Sequence, residues 1–111
     1  MESLEHRRAI IVSLLTDLAE SISTDETVET VIVADRERDH YQLLYLGWEG
    51  DRRILDTAVY LRLRHGKIWI EHNALPERIG ELLVAAGIPR DQIVLGFQPP
   101  QLRSLTDFAV A

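Results

Sequence analysis

Three short runs in which apolar and polar residues alternate occupy residues 39–73, and they constrain the fold more than any other feature of the chain. The runs are separated by Glu-Gly-Asp at 49–51 and by His-Gly at 65–66. Alternation with a period of two is typical of half-buried strands, and short breaks of this composition are typical of hairpin turns. The stretch therefore predicts a three-stranded antiparallel meander.

The second hairpin of this meander can be aligned residue by residue. With His65 and Gly66 as a two-residue loop, the predicted cross-strand pairs are Arg64/Lys67, Leu63/Ile68, Arg62/Trp69 and Leu61/Ile70. The four aliphatic residues then share one face, and a slip of one residue would break that face. Arg62 lies opposite Trp69 on the other face, where a cation–π pair would contribute roughly 0.5–1 kcal/mol if exposed.

The first strand of the meander is apolar on both of its faces, because Leu43, Leu44, Tyr45 and Leu46 follow one another directly. Such a strand is expected in the middle of a sheet that is covered on both sides. We expect a helix to cover one face and a partner molecule to cover the other. Gly47 is predicted to mark a β-bulge.

The flanking segments predict the remaining elements. Apolar residues at spacings of three, four and seven indicate an amphipathic helix over Glu2 to Ser21, with Ser3 as its N-cap. The β-branched segment Val28 to Ala34 predicts the first strand, which gives an antiparallel meander of about four strands in all.

A second helix is predicted around Ile79 to Ala86, with Pro76 in its first turn and Gly87 at its C-terminal cap. The segment Gln92 to Phe97 predicts a short buried strand, and the largely apolar tail from Ser104 is expected to pack on the domain. The sequence thus predicts an α+β fold, ordered α-β-β-β-β-α-β, as one domain over residues 1–111.

Composition narrows the class of protein. The chain has no cysteine, which excludes a disulfide framework and thiolate chemistry. It has no signal-peptide pattern and no apolar run near the ~18 residues that a membrane span needs, so a cytoplasmic protein without a membrane role is expected. Residues 1–50 carry 11 acids and 4 bases, whereas residues 51–111 carry 7 and 8. An acidic surface of this kind does not favour nucleic-acid binding.

Catalytic and metal-binding patterns are weak in this chain. The four histidines have no helical metal-ligand spacing, and we predict no metal and no cofactor. One polar arrangement is conceivable: His72 can meet His40 across the sheet while Asp39 orients His40, which would make an acid–base pair. The favoured alternative is that these are ordinary strand-end side chains, since no nucleophile accompanies them. We therefore predict a protein that is not an enzyme.

Arginines cluster along the meander at positions 52, 53, 62 and 64. Together with Trp69, the residues Arg52, Arg53, Arg62 and Arg64 make a possible contact for a partner or a nucleic acid. The alternative, which we favour, is that they form a solvated strand face.

Four segments of the chain resemble the XisI family of excision-controlling factors, best known from cyanobacteria. They are Glu37-Arg38-Asp39-His40-Tyr41-Gln42-Leu43-Leu44 with Gly47-Trp48, Gly66-Lys67-Ile68-Trp69-Ile70, Gly87-Ile88-Pro89-Arg90-Asp91-Gln92-Ile93-Val94-Leu95-Gly96-Phe97, and Thr106-Asp107-Phe108-Ala109-Val110. Each segment alone is a common pattern, but the four in this order and spacing are specific. The resemblance covers essentially the whole chain.

The resemblance implies a small accessory protein without catalytic residues. Members of the family are associated with control of site-specific excision of a DNA element during heterocyst development, and they are commonly paired with a XisH-like protein of nuclease fold. The leading hypothesis is therefore regulation of a XisH-like partner, in the manner of an antitoxin. Direct DNA binding through the arginines is the alternative. Self-association into a homo-oligomer is also expected.

Overall fold

The first helix begins where the sequence predicts it. The computed structural model describes residues 3–111, and helix α1 spans Leu4–Ser21. The Ser3 side chain is the N-cap and accepts a hydrogen bond from the backbone N–H of His6 at 3.1 Å, which satisfies one of the free donors at the helix start. The predicted first residue of this helix, Glu2, lies outside the described residues.

Four antiparallel strands follow in sequence order, and each pairs with the next. Their bounds are β1 Val28–Asp35, β2 His40–Glu49, β3 Arg52–Arg64 and β4 Lys67–Asn73. The four predicted pairs across the last hairpin are all confirmed. The loop residues of that hairpin, at positions 65 and 66, have φ of 53° and 78°, as a two-residue type I′ turn requires.

The predicted bulge at Gly47 is wrong. Gly47 pairs regularly with Val28 and with Ile54, and the shift in the β2–β3 register leaves Ala58 as the extra residue instead. The glycine is needed for a different reason: a Cβ at position 47 would overlap the carbonyl oxygen of Thr27. A second register shift leaves Glu71 as the extra residue in β4.

The second helix is shorter than predicted. Helix α2 spans Ile79–Ala85, so Pro76 lies before its first turn and the prediction for that residue is wrong. Asn73 explains the late start, because its side chain accepts from the N–H of Leu75 at 2.9 Å and donates to the carbonyl of Glu77 at 2.8 Å. The Asn-initiated turn holds the intervening residues in a loop.

The C-terminal segment completes the sheet. Strand β5 spans Ile93–Leu95, shorter than the predicted segment, and pairs with β4 in the parallel direction. Short 3₁₀-helices occupy Arg90–Gln92 and Pro100–Leu105. The tail packs on the domain as expected, with Phe108 against the core and the N–H of Ala109 bonded to the carbonyl of Ile93 at 2.8 Å.

The core lies between the two helices and one face of the sheet, which we call the inner face. Both helices place their aliphatic stripes on this face, and the alternation of the strands supplies the other half of the core. Its fully buried members include Ile11, Leu15, Tyr41, Leu43, Val59, Leu61, Ile68, Ile70, Ile79, Leu83 and Ile93. The α+β fold predicted from the sequence is confirmed.

Candidate functional site: the outer face of the sheet

The opposite face of the sheet carries apolar side chains that no helix covers. Residues directly opposite each other in antiparallel strands point to the same face, and the register pairs Val31 with Leu44, and Leu46 with Leu55. We call this surface the outer face. Its apolar residues are Val31, Val33, Leu44, Leu46, Trp48 and Leu55.

Exposure on the outer face is high for side chains of this size. Leu55 is 62% exposed and Trp48 is 50% exposed, while Leu44 and Leu46 are half-buried by their neighbours. The helices cover the inner face of β2 as expected, and the covering of its outer face by a partner stays a prediction. A contiguous apolar surface on a sheet is typical of a site that binds another protein.

The β2–β3 turn lies at one end of the outer face and holds the first two arginines. The guanidinium of Arg53 stacks on the Trp48 ring at 5.2 Å and donates to the carbonyl of Gly47 at 3.3 Å. Arg52 lies 3.7 Å from the carboxylate of Glu49. Both side chains are thus engaged with groups of their own hairpin.

The other end of the outer face holds an arginine cluster around Trp69. Arg62 stacks on its ring at 5.6 Å, as the register predicts, and Arg64 and Arg103 each lie 5.2 Å from the ring centre. Arg62 also lies 3.1 Å from the carboxylate of Glu71. Trp69 itself is only 7% exposed, so its ring is already covered and offers no free surface on which a base can stack.

The structure does not bring the predicted arginines into one patch. Arg53 and Arg62 are nine residues apart on a single continuous strand, which corresponds to about 30 Å at ~3.3 Å per residue. The positive charges therefore form two small groups at opposite ends of the sheet. Sequence reasoning missed Arg103, because no local pattern indicates that a residue of the tail returns to Trp69.

The acid–base arrangement that the sequence left conceivable does not form. Asp39 does not orient His40: its carboxylate accepts hydrogen bonds from Arg8 at 2.7 and 3.1 Å and from the hydroxyl of Tyr41 at 2.8 Å. The Nδ1 of His40 instead pairs with the hydroxyl of Tyr60 at 2.7 Å. His72 lies one strand further, opposite Tyr60 in the register.

The contacts of Asp39 make it a structural anchor. The guanidinium of Arg8 holds the pKa of Asp39 below its usual value, and the hydroxyl of Tyr41 adds to this shift. Burial, and then the bond to Asp39, raise the pKa of Tyr41 to about 12. The three residues tie helix α1 to the turn between β1 and β2, and a carboxylate whose pKa is lowered in this way is a weaker base.

Residues 3–111 contain neither a metal-binding cluster nor a membrane-spanning helix. Within that range no group of three or more His, Cys, Asp or Glu side chains comes together in a way that could hold a metal ion. No helix in the same range combines the length and apolar character needed to cross a membrane.

These features define a small α+β domain with a helix-covered inner face and an apolar outer face. The family model of the XisI protein matches residues 1–110, and the chain belongs to the XisI family. A comparison with curated proteins gives no significant match.

Two solved structures from Anabaena variabilis are similar over the whole chain. A XisI-like protein is 38% identical, with a TM-score of 0.93, and the match covers 98% of this chain and 100% of that one. The fdxN element excision controlling factor XisI is 37% identical, with a TM-score of 0.85, and the match covers 99% of this chain and 100% of that one. The resemblance noted from the sequence is thereby confirmed.

Proposed function

We propose that this chain is a non-catalytic regulatory protein that helps control site-specific excision of a DNA element by binding a XisH-like partner through the outer face. The observation that carries the proposal is the apolar outer face, on which Leu55 and Trp48 are at least half exposed. A solved relative with 37% identity is an excision controlling factor, which supports the role in excision. Burying such side chains against a partner would supply the main driving force for the complex.

Charge supports a basic partner. Five acidic residues of the first half are exposed, in the last turns of α1, the following loop and β1: Asp17, Glu20, Asp25, Glu26 and Glu29. A protein that handles DNA presents a basic surface, and complementary charge accelerates and orients association with an acidic one. Occupation of that basic surface would keep DNA out, as an antitoxin does. We place this regulation in the cytoplasm.

The test is co-expression with the XisH-like protein, followed by size-exclusion chromatography with light scattering. We expect the wild-type chain to elute in a joint peak, and Leu55→Asp to lose it, because a charge would be buried in the apolar interface. Leu105→Asp is the matched control, since Leu105 is 81% exposed in the C-terminal 3₁₀ segment, outside the outer face. It should keep the joint peak.

Separate elution of the two wild-type proteins would contradict the proposal. Binding of duplex DNA by this chain alone at ~50 mM salt, with affinity that falls steeply as salt rises, would instead support direct DNA binding. Glu26→Lys and Glu29→Lys then test the contribution of the exposed acidic residues. Both substitutions should weaken a XisH-like complex and strengthen binding to DNA.

A further inference from the structure

The two edge strands of the sheet differ in what lies beside them. At the β5 edge the tail lies alongside the strand, where Ala109 forms a bridge with Val94 and bonds to Ile93. At the opposite edge, β1 pairs with β2, and no other strand within residues 3–111 lies beside it. One side of β1 is therefore an open edge.

The hydrogen bonds of the adjoining residues establish which backbone groups of β1 face that edge. The N–H of Trp48 donates to the carbonyl of Thr27 at 2.9 Å, and the two residues are opposite each other in the extended register. Bonded and non-bonded pairs alternate in an antiparallel ladder. The backbone groups of Thr30, Ile32 and Ala34 therefore point away from β2, toward the open edge.

Strand β1 lacks three of the features that commonly protect an edge, namely lysine, proline and a bulge. Its sequence is Val-Glu-Thr-Val-Ile-Val-Ala-Asp, with five β-branched residues and no proline, lysine or arginine. All eight residues pair with β2 without a bulge. Natural edges are usually blunted by lysine, proline or bulges, because a regular edge is a template for another strand.

Charge indicates what kind of strand this edge accepts. Glu26 and Glu29 make the start of β1 acidic, whereas at its end Asp35 and Glu37 are balanced by Arg36 and Arg38, and Arg38 lies 3.6 Å from the carboxylate of Asp35. In a second copy paired antiparallel about Ile32, with both outer faces on the same side, Glu29 would lie opposite Asp35 at each end. Like charges directly opposite are destabilising, so this register disfavours a second copy, and the acidic start of β1 favours a strand with a basic residue at that end.

We propose that an extended segment of the protein partner, carrying lysine or arginine beside Glu26 and Glu29, adds to β1 as a sixth strand of the sheet. Main-chain hydrogen bonds would supply affinity, and the alternate side chains would supply specificity. Those side chains that point to the outer face would extend its apolar surface beside Val31 and Val33. This inference rests on the proposed function, because it specifies how the same partner binds.

The first test removes single outward N–H groups. Proline is tolerated in an edge strand where its N–H would face away from the sheet, so Thr30→Pro and Ala34→Pro should keep the β1–β2 ladder. We expect each to weaken binding to the co-expressed XisH-like protein by about tenfold or more, through the lost bond and the disturbed pairing. Thr30→Ala and Ala34→Ser keep the N–H and should bind as the wild type does. Circular dichroism of all four variants checks the fold.

The second test needs no substitution. In the wild-type chain alone, the amides of Thr30, Ile32 and Ala34 should exchange with solvent faster than those of Val31 and Val33, which face β2. In the complex the three outward amides should become protected as a set.

The outcomes separate the two proposals. Proline variants that bind normally, with no added protection of the outward amides, would overturn strand addition while Leu55→Asp still tests the outer face. A wild-type chain that forms no complex overturns the proposed function and strand addition together. Protection of the same amides in the chain alone, with a dimeric mass, would identify a second copy as the added strand and overturn the basic partner.

Discussion

Replacement of Asp39 by asparagine should destabilise the fold without affecting the surfaces proposed for binding. The carboxylate accepts two hydrogen bonds from Arg8 and one from Tyr41. Asparagine has the same volume and tolerates the positive φ of 61° at this position. The substitution therefore removes the charge and one acceptor while the backbone stays the same.

The expected magnitude follows from burial. The side chains of Arg8 and Asp39 are 19% and 16% exposed, so the pair is partly buried. The free energy lost on breaking it should therefore lie between that of an exposed ion pair, ~0–1 kcal/mol, and that of a buried one, ~3–5 kcal/mol. The amide oxygen can still accept from Tyr41. We expect the free energy of unfolding to fall by ~2 kcal/mol at pH 7, which corresponds to a melting temperature ~8–10 °C lower.

The pH dependence tests the electrostatic origin of this loss. The pKa of folded Asp39 lies below its ordinary value of 3.8, so its stabilisation is fully present above pH 3.8 and is lost as pH falls through the folded pKa. Urea unfolding of both proteins from pH 7 to pH 2.5 should show the difference shrinking in that acidic range. Asp51→Asn, in the exposed β2–β3 turn, is the control. A difference that does not change with pH would refute the reasoning.

Three further predictions concern other parts of the chain. Gly47→Ala should lower the free energy of unfolding by more than ~2 kcal/mol, because its Cβ would overlap the carbonyl of Thr27. Gly50→Ala is the control: Gly50 has a φ of 66° but open space around it, so this substitution should lower the free energy of unfolding by only ~1 kcal/mol. Equal losses in the two variants would contradict the steric argument. Burial raises the pKa of Tyr41 from 10.0 to about 12, so the free energy of unfolding should be unaffected below pH 10 and should fall between pH 10 and 12. Tyr41→Phe should flatten this alkaline decline. An unchanged decline in that variant would assign it to other groups. The chain alone should self-associate through the outer face, with a mass by light scattering above the 12.7 kDa of one chain; Leu55→Asp should return it to the monomer mass, and a wild-type chain at 12.7 kDa would contradict self-association.

The local patterns of the sequence determined the strands and one complete register. Alternation along residues 61–70 leaves a single pairing that keeps the aliphatic side chains together, and the loop residues at positions 65 and 66 suit a tight turn, so the hairpin and the stacking of Arg62 on Trp69 were both predictable. The start of α1 was equally local, because the cap depends on one side chain within the first turn.

Only the tertiary structure decided the contacts between distant segments. Asp39 pairs with Arg8 across 31 residues, and Arg103 reaches Trp69 across 34, and neither contact leaves a periodic signal in the sequence. The alternation of side chains along β2 shows that both of its faces are apolar, but the packing of α1 and α2 selects which face joins the core. The outer face and the open edge of β1 are what remains after that selection, so they became visible only once the long-range packing was known.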